Sequence, residues 1–299
     1  MRRIGILEMA TADKERLGYW RIFLDAMQLH GQTEGVDFLI DYRWADGHQD
    51  RLAGGAKQLV DANVDVIVTA GTPAAAAAIR ATSRIPIVMA TGVSLGTQLS
   101  DSTAPPTRNV TGISDLPQGV SERRLLMLRE ALSASASLAI LADLDNPSSP
   151  LAVQETHEAA RAHGLVVKDY WLSGPDQFNA TLASMHDDGV DGFVVAPGAM
   201  FFAKRKELAG YALQHRLGAM AVRREYADAG CLMAYGAPLR ENYRGAGMLV
   251  CKILGGAHPS ELPVAEPETF DFVINATTAK DLGVKIPAAL MQRAQFAQG

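Results

Sequence analysis

Val64-Asp65-Val66-Ile67-Val68-Thr69-Ala70-Gly71-Thr72-Pro73, followed by alanines at 74–78 and by Ile79, is the stretch whose reading decides the fold. Val66, Ile67 and Val68 form a short β-branched run, the composition of a strand buried in a parallel sheet. The expected strand runs from Val64 to Ala70. Gly71 permits a sharp turn. Thr72 suits an N-cap, and Pro73 the first helical position, where its missing N–H would be unpaired anyway. The alanines then favour helix without adding bulk. The unit predicted is strand, tight turn and helix, with backbone N–H groups presented at the helix N-terminus. Such an end attracts anions, carboxylates included; an ordinary β–α turn that binds nothing has the same pattern.

The same alternation extends outward from this unit. Strands are expected at Ile4 to Met9, Phe38 to Trp44 and Pro86 to Ala90, with helices at Arg16 to His30 and Gln49 to Ala62. Residues 91–107, rich in Gly, Ser, Thr and Pro, read as a loop, and Val110 to Ile113 as the start of a crossing strand. A second set follows: helices at Ser121 to Ser133, Leu151 to His163, Gln177 to Asp187 and Phe201 to His215, with strands at Leu138 to Ala142, Val166 to Tyr170, Gly192 to Ala196, Ala219 to Val222 and Leu232 to Tyr235. A helix from Leu239 to Leu254, a Pro-rich connection, a strand at Phe270 to Ile274, a short helix near Thr277 to Leu282 and a polar tail complete the chain. Strands alternating with helices imply α/β architecture with doubly wound parallel sheets. Two such sets in 299 residues imply two lobes. Val64 to Gly71 is echoed by Val190 to Pro197, which supports related halves. If the halves face each other, both sets of strand ends line one cleft, where open α/β sheets bind ligands.

Composition narrows the function classes. Hydrophobic residues make up 48% and charged residues 20%, enough for a full globular core. The net charge of −5 argues against a nucleic-acid partner. No apolar run reaches the roughly 18 residues a membrane helix needs. Cys231 and Cys251 have no metal-ligand spacing and sit in apolar surroundings, so no metal or cofactor is expected. Met1-Arg2-Arg3 leads directly into Ile4 to Leu7 with no signal-like apolar region. A cytoplasmic protein and an exported one shown without its export segment both fit that start.

Gly92-Val93-Ser94-Leu95-Gly96 has the form of a hydrolase nucleophile turn. A loop-like sequence follows it where a helix should begin, and His258 is the only later histidine in an expected loop. Gly245-Ala246-Gly247 lacks the third glycine of a dinucleotide site. Asp143 with Asp145, or Glu225 with Asp228, have the chemistry of acid/base pairs, and equally that of solvated loop carboxylates. Aromatic residues gather near the expected cleft edge: Tyr19, Trp20, Phe201, Phe202, Tyr226 and Tyr235. Phe201 and Phe202 are adjacent, so they cannot both face one side of a helix.

Arg224-Glu225-Tyr226-Ala227-Asp228-Ala229-Gly230-Cys231-Leu232-Met233-Ala234-Tyr235-Gly236 resembles the R-E-F-x-x-x-G-G-L-M-S-Y-G run of ABC-transporter substrate-binding proteins of the tryptophan/tyrosine type. The likeness continues in Leu262-Pro263-Val264, Glu266-Pro267, Phe270, Val273-Ile274-Asn275, Thr278-Ala279-Lys280, Leu282-Gly283 and Ile286-Pro287. It extends back to Ile85-Pro86-Ile87-Val88 and Asn109-Val110-Thr111-Gly112. The resemblance implies the type I periplasmic-binding-protein fold: two α/β lobes joined by crossing strands, with a ligand cleft between them. Lobe 1 would comprise 1–114 and 238–268 and lobe 2 115–237, with 269–299 a crossing strand and tail of open assignment. It also implies delivery of a small ligand to a membrane permease without catalysis, outside the cytoplasm, by a monomer. A cytoplasmic sensor of the same fold and a serine hydrolase using Ser94 are the alternatives.

Carried over by position, the family's ligand contacts fall on Thr69 to Ala74, which includes Gly71, Thr72 and Pro73, and on Thr91, Gly92 and Ser94. The loop at Asn146-Pro147 matches, and Ala196-Pro197 with Phe201-Phe202 resembles the family's aromatic-rich turn. This chain departs from the pattern near Ser94, where an aspartate and a proline are usual, and at Glu8-Met9-Ala10, where small residues are usual. The expected ligand is a small carboxylate, an amino acid or an aromatic or apolar acid. Its carboxylate would lie on Thr72, Pro73-Ala74 and Thr91-Gly92. An ammonium would meet Glu225, Asp145 or Glu8, and Trp20, Phe201 or Phe202, Tyr226 and Tyr235 would surround the side chain. Hinge closure is expected at Ile113 to Pro117 and Gly236 to Pro238.

Overall fold

The computed structural model describes residues 1–92, 109–114, 116–117 and 119–297. The chain forms two compact units: unit 1 is Met1–Asp115 with Leu239–Pro267, and unit 2 is Leu116–Pro238 with Glu268–Gly299. The first pass through unit 1 runs β1 (Arg2–Glu8), α1 (Lys14–Leu29), β2 (Phe38–Trp44), α2 (Arg51–Asp61), β3 (Val66–Ala70), α3 (Thr72–Ala81), β4 (Ile87–Thr91) and β5 (Val110–Gly112). Unit 2 follows with α4 (Val120–Leu132), β6 (Leu138–Asp143), α5 (Ser149–Ala162), β7 (Val167–Leu172), α6 (Phe178–Asp187), β8 (Gly192–Val195), α7 (Ala199–Ala203), α8 (Arg205–Gln214), β9 (Gly218–Ala221), α9 (Arg224–Asp228) and β10 (Met233–Gly236). The chain returns to unit 1 for α10 (Leu239–Leu254). It ends in unit 2 with β11 (Asp271–Ile274), α11 (Ala276–Leu282), α12 (Ala288–Met291) and β12 (Gln295–Phe296).

Unit 1 is built on a five-stranded sheet of order β2-β1-β3-β4-β5, parallel at every pairing. β3 and β4 are buried along their whole lengths, as their continuous apolar runs require. Right-handed crossovers put α1 on one face and α2 with α3 on the other. Helix α10 packs along α1. Their approach is close: a Cβ on Gly247 would lie 2.7 Å from the carbonyl oxygen of Phe23, so only glycine fits there. The Gly245-Ala246-Gly247 sequence thus serves helix packing. The strand expected to begin a crossing at Val110 to Ile113 is β5, after which the chain passes into unit 2. β5 pairs with β4 inside unit 1, and Ile113 bridges to Ala265 of the same unit.

Unit 2 has a seven-stranded sheet of order β12-β11-β10-β9-β8-β6-β7. All its pairings are parallel except β10 with β11. The doubly wound α/β class read from the alternation therefore holds, with an antiparallel strand added by the tail. One expected helix, Phe201 to His215, is two: α7 ends at Lys204, and the Arg205 Nη1 group donates to the Phe202 carbonyl at 2.9 Å. The short helix α9 and the two-residue strand β12 were not foreseen, because elements this short carry no periodicity. Among the described residues, no helix is long and apolar enough to cross a membrane.

Candidate functional site

In unit 1, β2 lies on one side of β1 while β3 and β4 lie on the other. The switch point of the sheet is therefore between the carboxyl ends of β1 and β3, the place where such sheets bind ligands. At β3, Gly71 has φ 96°, a left-handed value that suits glycine. Its carbonyl accepts the Ala75 N–H at 3.1 Å, so Gly71 is the N-cap and Thr72 the first helical residue. This shifts the expected cap by one residue and places Pro73 second. Gly71 N–H donates to Thr91, reaching Oγ1 at 2.9 Å and the carbonyl at 3.1 Å. Thr91 thereby ties the end of β4 to the turn after β3, and Gly92 lies against the Thr72 backbone. Thr72, Pro73 and Ala74 form the buried first turn of α3, in which Thr72 and Ala74 carry an N–H and Pro73 carries none. Thr69 is buried, and its hydroxyl has no hydrogen-bond partner among the described residues.

At the end of β1, Glu8 is 1% exposed. Its Oε1 accepts the Ala10 N–H at 3.1 Å; its Oε2 accepts the Trp20 indole N–H at 3.2 Å and the Tyr243 hydroxyl at 3.4 Å. Arg16, 7% exposed, completes the group and donates from Nη1 to the Tyr243 hydroxyl at 3.3 Å. Burial opposes the guanidinium charge, but Glu8 and Tyr243 outweigh it and hold the Arg16 pKa above its ordinary value. Trp20 meets Tyr243 edge-to-face at 4.9 Å between centroids, and Tyr19 stacks on Tyr243 at 5.4 Å. Trp20 is thus a core residue with its N–H engaged, and Glu8 is enclosed by donors of its own unit.

In unit 2, β7 lies on one side of β6 and β8 on the other, so the switch point falls between the ends of β6 and β8. Asn146 spans it. Its Nδ2 donates to the Pro197 carbonyl at 2.7 Å, and its Oδ1 accepts the Ser148 N–H at 3.2 Å and hydroxyl at 3.0 Å. Asp145 is exposed and accepts the Ser173 hydroxyl at 2.5 Å. Asp143, 7% exposed, accepts the Asp145 N–H at 3.0 Å, and burial pushes its pKa up to about 6.

The aromatics of unit 2 do not form one wall. Phe201 is fully buried and stacks on Phe178 at 5.9 Å, which corrects its placement at an edge. Phe202 points elsewhere, to the edge of Tyr226 at 5.9 Å, with the Arg205 guanidinium 4.5 Å above its ring. Tyr226 is fully buried, its hydroxyl has no hydrogen-bond partner among the described residues, and burial raises its pKa. Glu225 precedes it in the first turn of α9. Tyr235 stacks on Phe270 at 5.4 Å and accepts Arg123 Nη1 at 2.8 Å.

Sequence reasoning missed Arg16 and Tyr243. A signal existed for the first: Arg16 shares the buried face of α1 with Trp20, Phe23 and Met27, an unusual place for a charge. Tyr243 arrives on a helix 227 residues away, and nothing local announces it. Ser94 and the rest of 93–96 lie outside the described residues. His258 caps the short helix at 259–261, accepting the Ser260 N–H at 3.3 Å.

The model of the family described as ABC transporter substrate binding protein matches residues 5–297. A tyrosine-binding protein of Clostridioides difficile (strain R20291) is 24% identical over 290 residues, covering 95% of this chain and 81% of that relative. A conserved domain protein of Vibrio cholerae O1 biovar El Tor has the same fold, with a TM-score of 0.89 at 23% identity and 99% of both chains covered. An ABC domain from Streptococcus pneumoniae, solved in complex with L-Trp, gives a TM-score of 0.88 at 23% identity, again over 99% of both chains. The structural likeness carries the fold.

Proposed function

This chain belongs to the family of ABC transporter substrate-binding proteins, and from that premise we propose that it binds a small carboxylate, an amino acid or an aromatic or apolar organic acid, and hands it to an ABC permease. The observation that carries the reading is the end of β3. Gly71, locked by Thr91, presents the first turn of α3 at the switch point of unit 1. Helix N-termini hold carboxylates through oriented N–H groups and the positive end of the macrodipole. The buried Thr69 hydroxyl, two residues before Gly71 and without a hydrogen-bond partner among the described residues, supports a polar ligand group there. The tyrosine-binding relative and the L-Trp complex support the aromatic amino acid class. Unit 2 carries polar groups of its own at its strand ends, with Asp143 and Asp145 as acceptors and the buried Phe202 beneath the Arg205 guanidinium. In this reading no bond is made or broken, and the protein works as a periplasmic or otherwise exported receptor.

A thermal-shift screen against amino acids and aromatic acids tests the proposal. A ligand present at 100 times its dissociation constant stabilises the folded state by about 2.7 kcal/mol. Absence of any shift with every carboxylate removes the reading. Thr72→Ala should weaken binding only a few-fold, since the anchor is mainly backbone; a complete loss would show that the hydroxyl is the anchor.

A further inference from the structure

β3 and β4 pair in regular parallel register until their last residues. Thr69 stands opposite Met89, but Ala70 stands opposite Thr91, so Ala90 is an extra residue in β4. In unbroken register Ala90 would stand opposite Ala70, and Thr91 one place further on. Bulges of this kind re-aim a side chain, and they gather beside functional sites. Here the side chain is that of Thr91, which is 6% exposed and whose Oγ1 accepts the Gly71 N–H at 2.9 Å. The Thr91 carbonyl accepts the same N–H at 3.1 Å. That carbonyl alone satisfies the donor, so the hydroxyl is not needed to avoid an unpaired buried group. What the hydroxyl adds is direction: two acceptors converging on one N–H leave the Gly71 peptide little freedom to rotate. The next residue continues the contact. Gly92, at φ 142°, lies so close to α3 that a Cβ on it would be 3.4 Å from the Thr72 nitrogen.

Orientation matters at this turn because its donors are few. The Gly71 N–H is spent on Thr91, Pro73 has none, and the Ala75 N–H is bonded to the Gly71 carbonyl. The first turn of α3 therefore has at most the Thr72 and Ala74 N–H groups for a carboxylate. Hydrogen bonds weaken steeply as their angle closes, so a small rotation at Gly71 is felt at both. The Thr69 hydroxyl, buried and without a hydrogen-bond partner among the described residues, is a further polar group at the same strand end.

We infer that Thr91 is a positioning residue for ligand recognition: its hydroxyl orients the α3 N-terminus through Gly71 and does not itself hold the ligand. The inference rests on the carboxylate reading above and deepens it. It also separates Thr91 from the set of expected ligand contacts.

The test compares acids with their primary amides by isothermal titration: L-tryptophan with L-tryptophanamide, L-tyrosine with L-tyrosinamide, and 4-hydroxybenzoate with 4-hydroxybenzamide. Wild-type protein should prefer the acid by about 10–100-fold, the span of a charge-assisted hydrogen bond. Thr91→Val exchanges the hydroxyl for a methyl group and leaves the Gly71 N–H its carbonyl partner. It should reduce the acid preference by about 3–10-fold while amide binding stays near wild type. Thr91→Ser should restore the preference. Amide hydrogen exchange on the ligand-free protein supplies the second readout: Gly71 should exchange faster in Thr91→Val and return towards wild type in Thr91→Ser. Thermal unfolding checks that each variant is folded, and Thr91→Ala takes the place of Thr91→Val if the added methyl disturbs folding. An acid preference unchanged in the folded variant overturns the role of Thr91. A preference lost while Gly71 exchange stays at the wild-type rate overturns positioning and makes the hydroxyl a direct ligand contact. A wild-type protein that binds no acid, or binds acid and amide equally, overturns the carboxylate reading, and this inference with it.

Discussion

At the carboxyl end of its sheet, unit 1 buries a carboxylate beside a cation; at the corresponding place unit 2 buries one that is raised by burial and by a second carboxylate. Glu8 has Arg16, and Asp143 has Asp145. The two ends share strand order and crossover hand, yet their electrostatics are opposite. Unit 1 has a buried cluster of opposite charges packed among the rings of Trp20 and Tyr243. Unit 2 has loops tied to each other by Asn146, an acid raised to about 6, and a buried phenol whose hydroxyl has no hydrogen-bond partner among the described residues. One sheet plan sets where a site can form, and the side chains at the strand ends set the charge it accepts.

The comparison breaks most visibly at Arg16. Arg16→Met alone strands the Glu8 carboxylate in the core and should cost about 3–5 kcal/mol in urea unfolding at pH 7, with E8Q/R16M recovering most of it. An equal loss in single and double variants would mean that Arg16 contributes packing only. In unit 2 the brace is neutral, so its removal should cost less. Asn146→Ala unpairs the Pro197 carbonyl and releases Ser148, for about 1–3 kcal/mol by the same measurement.

Asp143 gives unit 2 a pH signature at its strand ends. Burial raises its folded pKa above the ordinary 3.8 to about 6, so the folded protein binds the proton more tightly than the unfolded chain. Its contribution to stability therefore grows as pH falls from 6 towards 3.8 and is a penalty above 6. Asp143→Asn should raise Tm at pH 7, while the two proteins converge near pH 4; an unchanged pH profile would remove the burial argument. The smallest effect is expected at Tyr226→Phe. It deletes a hydroxyl that lacks a partner and keeps the ring against Phe202, so stability should stay within about 0.5 kcal/mol of wild type or rise. A loss above 2 kcal/mol would reveal a hydrogen bond to that oxygen.

Much of this architecture is legible along the chain. The β-branched run before Gly71, the alanines after it and the alternation on both sides specify strands, turns and helices through local preferences. Errors fall where local preference is weak or overridden. The helix expected through Phe201 to His215 breaks because Arg205 reaches back to the Phe202 carbonyl. The tail joins the sheet as β11 and β12 through pairing partners distant in sequence. The site was legible as a set of strand ends and illegible as a set of contacts. Asn146 stands between the ends of β6 and β8, where its amide braces the Pro197 loop. Trp20 lies where helical spacing puts it, but its N–H belongs to Glu8.

The sequence by itself determined the α/β class, the turn at Gly71 and the family, because each rests on short-range patterns or on motifs that keep their spacing. Only the tertiary structure decided which charges meet. Glu8, Arg16 and Tyr243 come from three elements, the last more than 220 residues away, and a buried carboxylate is an ammonium partner or half of an internal pair according to what the fold sets beside it.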